Sequence, residues 1–250
     1  MIRNKTLFIS DIHLRGLQDA RERHFIHFLE MQAPSLLRLV IVGDLFDFWV
    51  GHKTVIYHAY WPILHVLMEL REQGVEIHYL EGNHDFHLGT FFKETLGCHI
   101  YTDEAHINFD GVRISLYHGD KANKKELRYR CIRAFLRSWF VRLALKCVHP
   151  DVIWKIGHKA SSLSHRYHPK KENERRAVMA LYRDFAETKL KTTGSDVVLV
   201  GHSHYPDEAV FKFHNKEATY YNLGDWVTHF SYLEFENSHF QLKFLPFTYL

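Results

Sequence analysis

Five short stretches of this chain end in residues that hold metal ions or move protons. Asp11 and His13 stand in Ser10-Asp11-Ile12-His13, Asp44 follows Gly43, and Asn83, His84 and Asp85 follow Gly82. His118-Gly119-Asp120 and Gly201-His202-Ser203-His204 complete the set. Singly each is ordinary: a Gly-Asn pair turns a chain, and an Asp after glycine caps a helix or closes a turn. Jointly, Asp11, Asp44, His13, His118, His202, His204 and Asn83 make a donor set for two divalent ions. Held about 3.5–4 Å apart, such ions clamp a phosphoryl group and activate a bridging water. One carboxylate must bridge them, and hard oxygen with imidazole nitrogen suits Mn, Fe or Zn. Two divalent cations less the charges of Asp11 and Asp44 leave about two positive charges, or one with a bridging hydroxide. That cage attracts an anionic phosphoester or diphosphate and stabilises charge growing on its transition state.

The elements that must position these residues share one pattern. The runs TLFISD, LVIVGD, VEIHYLEGN, VRISLYHGD and DVVLVGHSH are apolar, β-branched or aromatic, of strand length, and each ends in a potential ligand. The first three alternate with helix-like segments around residues 25–31 and 57–72, an α/β pattern in which ligands bind beyond the carboxyl ends of the strands. Residues 108–111 carry an Asp-Gly hairpin signal. From about residue 121 to 190 the chain reads as helices rich in Arg, Lys and His, broken at His149-Pro150 and His168-Pro169. Strand patterns resume at Asp196, and the tail reads as an antiparallel meander. The expectation is a single domain over 1–250, an α/β fold of two sheets interrupted by a helical insert at 121–190.

Composition sets the remaining bounds. The 250 residues are 46% hydrophobic and 24% charged, with a net charge of +3, which does not choose among nucleic acid, anionic lipid and a small phosphate compound as partner. Cys98, Cys131 and Cys147 form no C-x-x-C pair and leave an odd count, which predicts free thiols in a reducing compartment. The N-terminal apolar run stops at Asp11, too short for a signal peptide, and no apolar stretch is long enough to span a bilayer. A cytoplasmic protein is expected.

The order D-x-H, G-D, G-N-H-D, H-G-D, G-H-x-H resembles the calcineurin-like metallophosphoesterase superfamily, from residue 7 to about 226. The resemblance implies a four-layer α/β/β/α sandwich with a helical cap insertion. It also implies one metal held by Asp11, His13, Asp44 and His204, and another by Asp44, Asn83, His118 and His202, with Asp44 bridging. By the same resemblance His84 contacts the phosphoryl group and assists departure of the leaving group, so that His84, Asp44 and Asn83 carry catalysis. Asp85 is read as orienting the turn.

Within the superfamily, GDLFDFWVG, GNHDF, YHGD and LGDW look like the UDP-2,3-diacylglucosamine diphosphatase group of lipid A biosynthesis. That likeness implies two divalent ions, Mn2+ first among them with Fe or Zn as alternatives, and a lipid-linked UDP-sugar substrate cleaved to UMP and 2,3-diacylglucosamine 1-phosphate. It further implies transient contact with the inner surface of a membrane, and substrate contacts at His84, Tyr129, Arg133, Lys159, Ser162 and His165. The best-known branch has arginine where His84 stands, and an Arg/Ser/Asn series where Lys159, Ser162 and His165 stand. A continuous helix over 130–148 would align Ile132, Leu136, Trp139, Phe140, Leu143 and Cys147 in one stripe, with Arg133 and Arg137 on one flank and Arg142 and Lys146 on the other. Such a lid would offer apolar surface to acyl chains or a membrane and arginines to phosphates, the alternative being burial of both faces. The rival activity is cleavage of another phosphodiester or of a soluble nucleotide diphosphate. Nucleic acid is not expected as a partner, because the basic residues concentrate in the insert among aromatics and aliphatics and no separate DNA-binding module is visible.

Overall fold

Successive residues of β1 (Lys5–Ile9) face opposite ways, and both faces are apolar. In the computed structural model, which describes residues 3–16, 20–52, 54–123, 127–145, 147–164, 172–214 and 216–245, Leu7 and Ile9 pack with α1 (Ala20–Gln32) and α2 (Trp61–Glu72). Phe8 joins a separate cluster on the other side. In β2 (Leu36–Val42), Leu39 and Ile41 join the helices while Val40 and Val42 turn away, and β3 (Glu76–Leu80) divides Ile77 and Tyr79 from Leu80 in the same way. Strands covered on both faces read as continuous apolar runs, which is the pattern seen at each motif.

β1, β2, β3 and β4 (His99–Tyr101) are parallel neighbours in a six-stranded sheet. β5 (Glu104–Phe109) and β6 (Val112–Tyr117) form a hairpin, and its turn residues Asp110 and Gly111 both have positive φ, as an Asp-Gly type I′ turn requires. The helices α3 (Leu127–Leu136), α4 (Trp139–Leu145), α5 (Pro150–Ser164) and α6 (Glu172–Thr193) follow. The chain then enters β7 (Val197–Val200), which pairs in parallel with β6 in a five-stranded second sheet. Phe109, Ile114, Leu116 and Leu199 of that sheet meet Phe8, Val40, Val42 and Leu80 in the cluster between the sheets. On its outer face, Tyr182, Ala186 and Leu190, spaced four apart along α6, cover Val198, Val200 and Tyr220. The result is helix, sheet, sheet, helix, the expected sandwich. Burying each such Leu, Val or Phe contributes about 1.5–3 kcal/mol.

Two expectations need correction. The tail is not one meander. β8 (Asp207–Phe213) and β9 (Lys216–Asn222) extend the second sheet, whereas β10 (Ser231–Glu236) and β11 (His239–Phe244) extend the first. Between them the chain changes sheet because Trp226 is buried under α1, its ring 4.9 Å from those of Phe25 and Phe28. β10 then runs antiparallel to β1 and sets Leu233 and Phe235 into the inter-sheet cluster. Nor is there a continuous helix over 130–148. It breaks at Arg137-Ser138, where the Ser138 hydroxyl accepts the Val141 N–H and Arg137 reaches out of the helix to the β3 loop. Ile132, Trp139, Phe140 and Leu143 remain exposed, Trp139 at 72%, so burial of both faces does not occur. Among the described residues no helix is long and apolar enough to cross a membrane, and all three cysteines are free.

Candidate active site

The five motif strands end on one edge of the sandwich, and their loops are tied to each other by backbone. Asp11 N–H donates to the Gly43 carbonyl, and the N–H groups of Ile12 and His13 both donate to the Asp44 carbonyl. These ties hold the loops in strained shapes. Asp11, His13, Asp44, His202 and His204 all have φ between +50° and +65°, a region that costs a non-glycine residue about 1–3 kcal/mol and concentrates at functional sites. The glycines beside them leave room. A Cβ on Gly82 would lie 2.0 Å from Asp44 Oδ1, and one on Gly43, itself at φ +83°, would lie 2.4 Å from His118 Nδ1.

The polar atoms converge on a small, buried volume. His13 Nε2 lies 3.3 Å from His204 Nε2 and 3.8 Å from both Asp11 Oδ1 and Asp44 Oδ2. His118 Nε2 lies 2.9 Å from Asn83 Oδ1 and 3.3 Å from Asp44 Oδ2. Three overlapping groups, Asp11/His13/His204, His13/Asp44/His84 and Asp44/His118/His202, each keep their candidate ligand atoms within 4.8 Å of one another. All the residues expected as metal ligands are therefore together, with Asp44 at the centre.

Outer hydrogen bonds fix which ring nitrogen faces inward. His118 Nδ1 lies 2.9 Å from the Val42 carbonyl and His204 Nδ1 lies 3.0 Å from Asp225 Oδ2, so each donates there and turns Nε2 inward. Nε2 of His118 then faces the Asn83 and Asp44 oxygens, and Nε2 of His204 faces that of His13. Asp11 Oδ1 is buried without a hydrogen-bond donor, with His204 Nε2 3.5 Å away. Such a gathering of acceptors needs a cation or a proton. Before ions bind, protons answer it: burial pushes the His118 imidazole down, but Asp44 beside it lifts it to about 10. Burial alone pushes the Asp44 carboxyl up, and His118 with His84 holds it well below the usual carboxylate range. The residues fit a pair of divalent ions.

Asp85 orients the turn, as expected. Its carboxylate accepts the N–H groups of Asp44 at 3.0 Å, Leu45 at 2.7 Å and Gly82 at 2.8 Å and the Tyr79 hydroxyl at 2.5 Å, binding the β2 and β3 loops together. His84 N–H donates to Asp44 Oδ1 at 2.9 Å, and its Nδ1 lies 2.9 Å from the Asp47 carbonyl, directing Nε2 toward Asp44 and His13.

Other residues were not legible as parts of the site. Asp225, in a Gly-Asp-Trp stretch that carried no assignable role, also accepts N–H groups of Thr228 and His229; burial pushes it up, but His204 and His229 hold it far below the usual range. His158 on α5 lies 3.6 Å from Asp47, whose other oxygen is 3.8 Å from His13 Nδ1. Of the expected substrate contacts, Arg133 pairs with Asp120 and, at 3.0 Å, with Asp103, at the loop that carries His118. Lys159 is exposed on α5, next to His158. The side chains of Tyr129 and Ser162, and all of His165, lie outside the described residues.

The calcineurin-like phosphoesterase family matches residues 5–206, and the chain belongs to that family. Membership implies a two-metal centre, and the converging groups above are candidates for it. Its curated relatives include UDP-2,3-diacylglucosamine hydrolases. That of Haemophilus influenzae is 32% identical, covering 88% of this chain and 89% of the relative. That of Nitrosococcus oceani is 31% identical over 88% and 87%, and that of Aliivibrio fischeri 27% over 94% and 96%. Among solved structures, an archaeal phosphodiesterase is 14% identical with a TM-score of 0.48, covering 96% of this chain and 99% of its own.

Proposed function

We propose that this protein hydrolyses the diphosphate of UDP-2,3-diacylglucosamine, releasing UMP and 2,3-diacylglucosamine 1-phosphate for lipid A biosynthesis. The observation that carries the reading is adjacency. An anion-attracting ligand cluster lies beneath helices whose apolar side chains are left bare, a combination that suits a charged diphosphate joined to acyl chains. The curated relatives with this activity support it over nearly their whole length.

In this reading Asp11, His13, Asp44 and His204 hold one divalent ion and Asp44, Asn83, His118 and His202 the other, Mn2+ being the first choice and Fe or Zn fitting the same donors. When bound, the pair supplies Lewis acidity and a water made nucleophilic at neutral pH. Water adds across the P–O–P bridge: one phosphorus gains the hydroxyl, and the bridging oxygen leaves on the other, taking up a proton. His84 contacts the phosphoryl group through Nε2, its Nδ1 being occupied by the Asp47 carbonyl. Residues 121–190 act as the cap. Ile132, Phe135, Trp139, Phe140 and Leu143 meet acyl chains, and the same surface rests transiently on the inner face of the cytoplasmic membrane, the protein being cytoplasmic.

The test compares turnover of UDP-2,3-diacylglucosamine with that of UDP-N-acetylglucosamine at equal low concentration. Each buried methylene contributes about 0.8 kcal/mol, so ten offer about 8 kcal/mol gross. If a third survives ordering and strain, about 2.7 kcal/mol remains, roughly a hundredfold preference for the acylated sugar. Trp139→Asp and Leu143→Asp should erase it while leaving hydrolysis of an aryl phosphodiester intact. Equal rates on both sugars in wild type would leave a phosphoesterase for other diesters or soluble nucleotide diphosphates.

A second expectation follows from the raised His118. Its folded value, about 10, exceeds the ordinary 6.5, so the imidazole carries a proton at neutral pH and loses it only as pH rises toward 10. A metal ion taking Nε2 must expel that proton, so affinity should climb with pH. Calorimetric titration with Mn2+ near pH 7.5, in two buffers of different ionisation heat, should show net proton release, to which His204, also raised, adds its share. A heat independent of buffer would remove His118 from the ligand set.

A further inference from the structure

Arg137 stands at the break between α3 and α4 and points away from both helices. Its guanidinium donates to the Glu81 carboxylate at 3.0 Å, the Thr102 carbonyl at 2.7 Å and the Gly82 carbonyl at 2.7 Å. The Arg137 side chain is 13% exposed and that of Glu81 5%. The other Glu81 oxygen accepts the Leu88 N–H at 3.1 Å, on the far side of the same loop. Arg137 therefore holds both carbonyls and the carboxylate that flank the G-N-H-D turn. A planar fork of donors suits this task, and its donors to protein oxygens are not available to a substrate phosphate.

The Gly82 carbonyl belongs to the peptide that leads into Asn83. On its other side the turn is held by Asp85, which accepts the Gly82 N–H, and by Asp44, which accepts the His84 N–H. The turn is thus gripped from within by two carboxylates, at the His84 carbonyl by the Trp49 N–H at 2.9 Å, and on the Gly82 side by one arginine of the helical segment. Remove the outer grip and Glu81 loses its counter-charge while the Gly82 carbonyl loses its donor, so Glu81 must take up a proton or the turn must shift to bring it water.

We propose that Arg137 is a positioning residue through which the docked helices set the placement of Asn83 and His84. The inference rests on the two-metal reading of the site and deepens it: the helices over the site are part of its framework as well as a surface for acyl chains. Arg137 acts through the turn and touches no substrate atom.

The test uses the full-length protein, Mn2+ titration and two substrates, UDP-2,3-diacylglucosamine and an aryl phosphodiester too small to need the cap. Partners one shell removed from a metal are worth about 10–100-fold in affinity or activity. Arg137→Ala should therefore weaken the weaker of the two Mn2+ binding steps about tenfold and lower kcat about tenfold or more on both substrates, with KM for the aryl diester little changed. Arg137→Lys, which restores one donor to Glu81 but not the fork, should fall between. It carries the same comparison should the alanine variant fail to fold. Unchanged Mn2+ binding with a loss confined to KM for the UDP-lipid would overturn the inference and make Arg137 a substrate contact. Unchanged Mn2+ binding and kcat would overturn it as well. Failure of the underlying reading shows separately, as a wild type that binds fewer than two ions.

Discussion

Asp44→Asn should lose both metal ions together, and turnover with them, by more than about 10³-fold, beyond what a single misplaced hydrogen-bond donor costs. The reason is position. Asp44 Oδ2 lies 3.3 Å from His118 Nε2 and 3.8 Å from His13 Nε2, between the two histidine groups, while Oδ1 accepts the His84 N–H at 2.9 Å. Asparagine keeps the size of the side chain and an oxygen for His84, so the loop should fold. It puts an amide where the shared lone pairs were and removes a charge that His118 and His84 keep on the native carboxylate despite its burial. Metal analysis of the purified variant, after reconstitution beside wild type, reads the result directly. Retention of two ions with turnover within tenfold of wild type would end the assignment of Asp44 as the bridge.

How much of this site the sequence revealed depends on the range of the interactions involved. Asp11, Asp44, Asn83, His118 and His202 each end an apolar run, and a strand delivers its last residues to the sheet edge whatever the rest of the chain does, so they could be read locally. The β5–β6 turn was legible for the same reason, because an Asp-Gly pair specifies its own backbone. The tail was not. β8–β9 and β10–β11 carry the same alternation, and long-range contacts, Trp226 beneath α1 and the pairing of β10 with β1, place the second hairpin in the other sheet. The helix break at Arg137-Ser138 is likewise tertiary. Periodicity favours one helix across it, and oxygens of Glu81 and Gly82 after β3 and of Thr102 after β4 draw Arg137 out. Asp225 and His158 act across the fold on His204 and Asp47; the LGDW stretch draws notice to Asp225, but its local pattern does not say which residue it reaches, and nothing beside His158 in the chain signals its place. The left-handed backbone at Asp11, His13, Asp44, His202 and His204 is a property of the assembled loops, shared with turn residues such as Asp110 and Asn237, and at the site it gathers on candidate ligands.

The arrangement also separates holding from reacting. Asp85 and Asp225 are buried carboxylates near the cluster, yet each is consumed by donors: Asp85, raised to about 7 by burial and then by Asp44, accepts four backbone N–H groups from the β2 and β3 loops and the Tyr79 hydroxyl, and Asp225 accepts His204 and the N–H groups of Thr228 and His229. Among the side chains of the G-N-H-D turn this leaves His84 as the one proposed to contact the phosphoryl group. Its backbone N–H is spent on Asp44 and its Nδ1 on the Asp47 carbonyl, while its ring meets that of His13 edge-on at 4.9 Å. An imidazole anchored at Nδ1 presents Nε2 in a fixed direction, and it donates from Nε2 only in the doubly protonated form.

His84→Ala should therefore bind two ions with wild-type affinity and lose about 10²–10³-fold in kcat, the usual worth of one well-placed donor to developing charge. The backbone N–H that holds Asp44 survives the substitution, which is why the metals should stay. His84→Arg should recover part of the loss, because a guanidinium supplies donors at any working pH and arginine occupies this place in the related G-N-R-D-F motif. His84→Gln, with a neutral amide, should recover less. Single-turnover rates with Mn2+-loaded protein, set beside metal content, distinguish the cases. A fully active alanine variant would show that the phosphoryl group is served by the ions and Asn83 alone. An alanine variant that cannot hold metal would make His84 a ligand, which its place in the His13/Asp44/His84 group permits. The expected pattern, metal kept and rate lost, is the one that an imidazole anchored to the Asp47 carbonyl and serving as a donor would give.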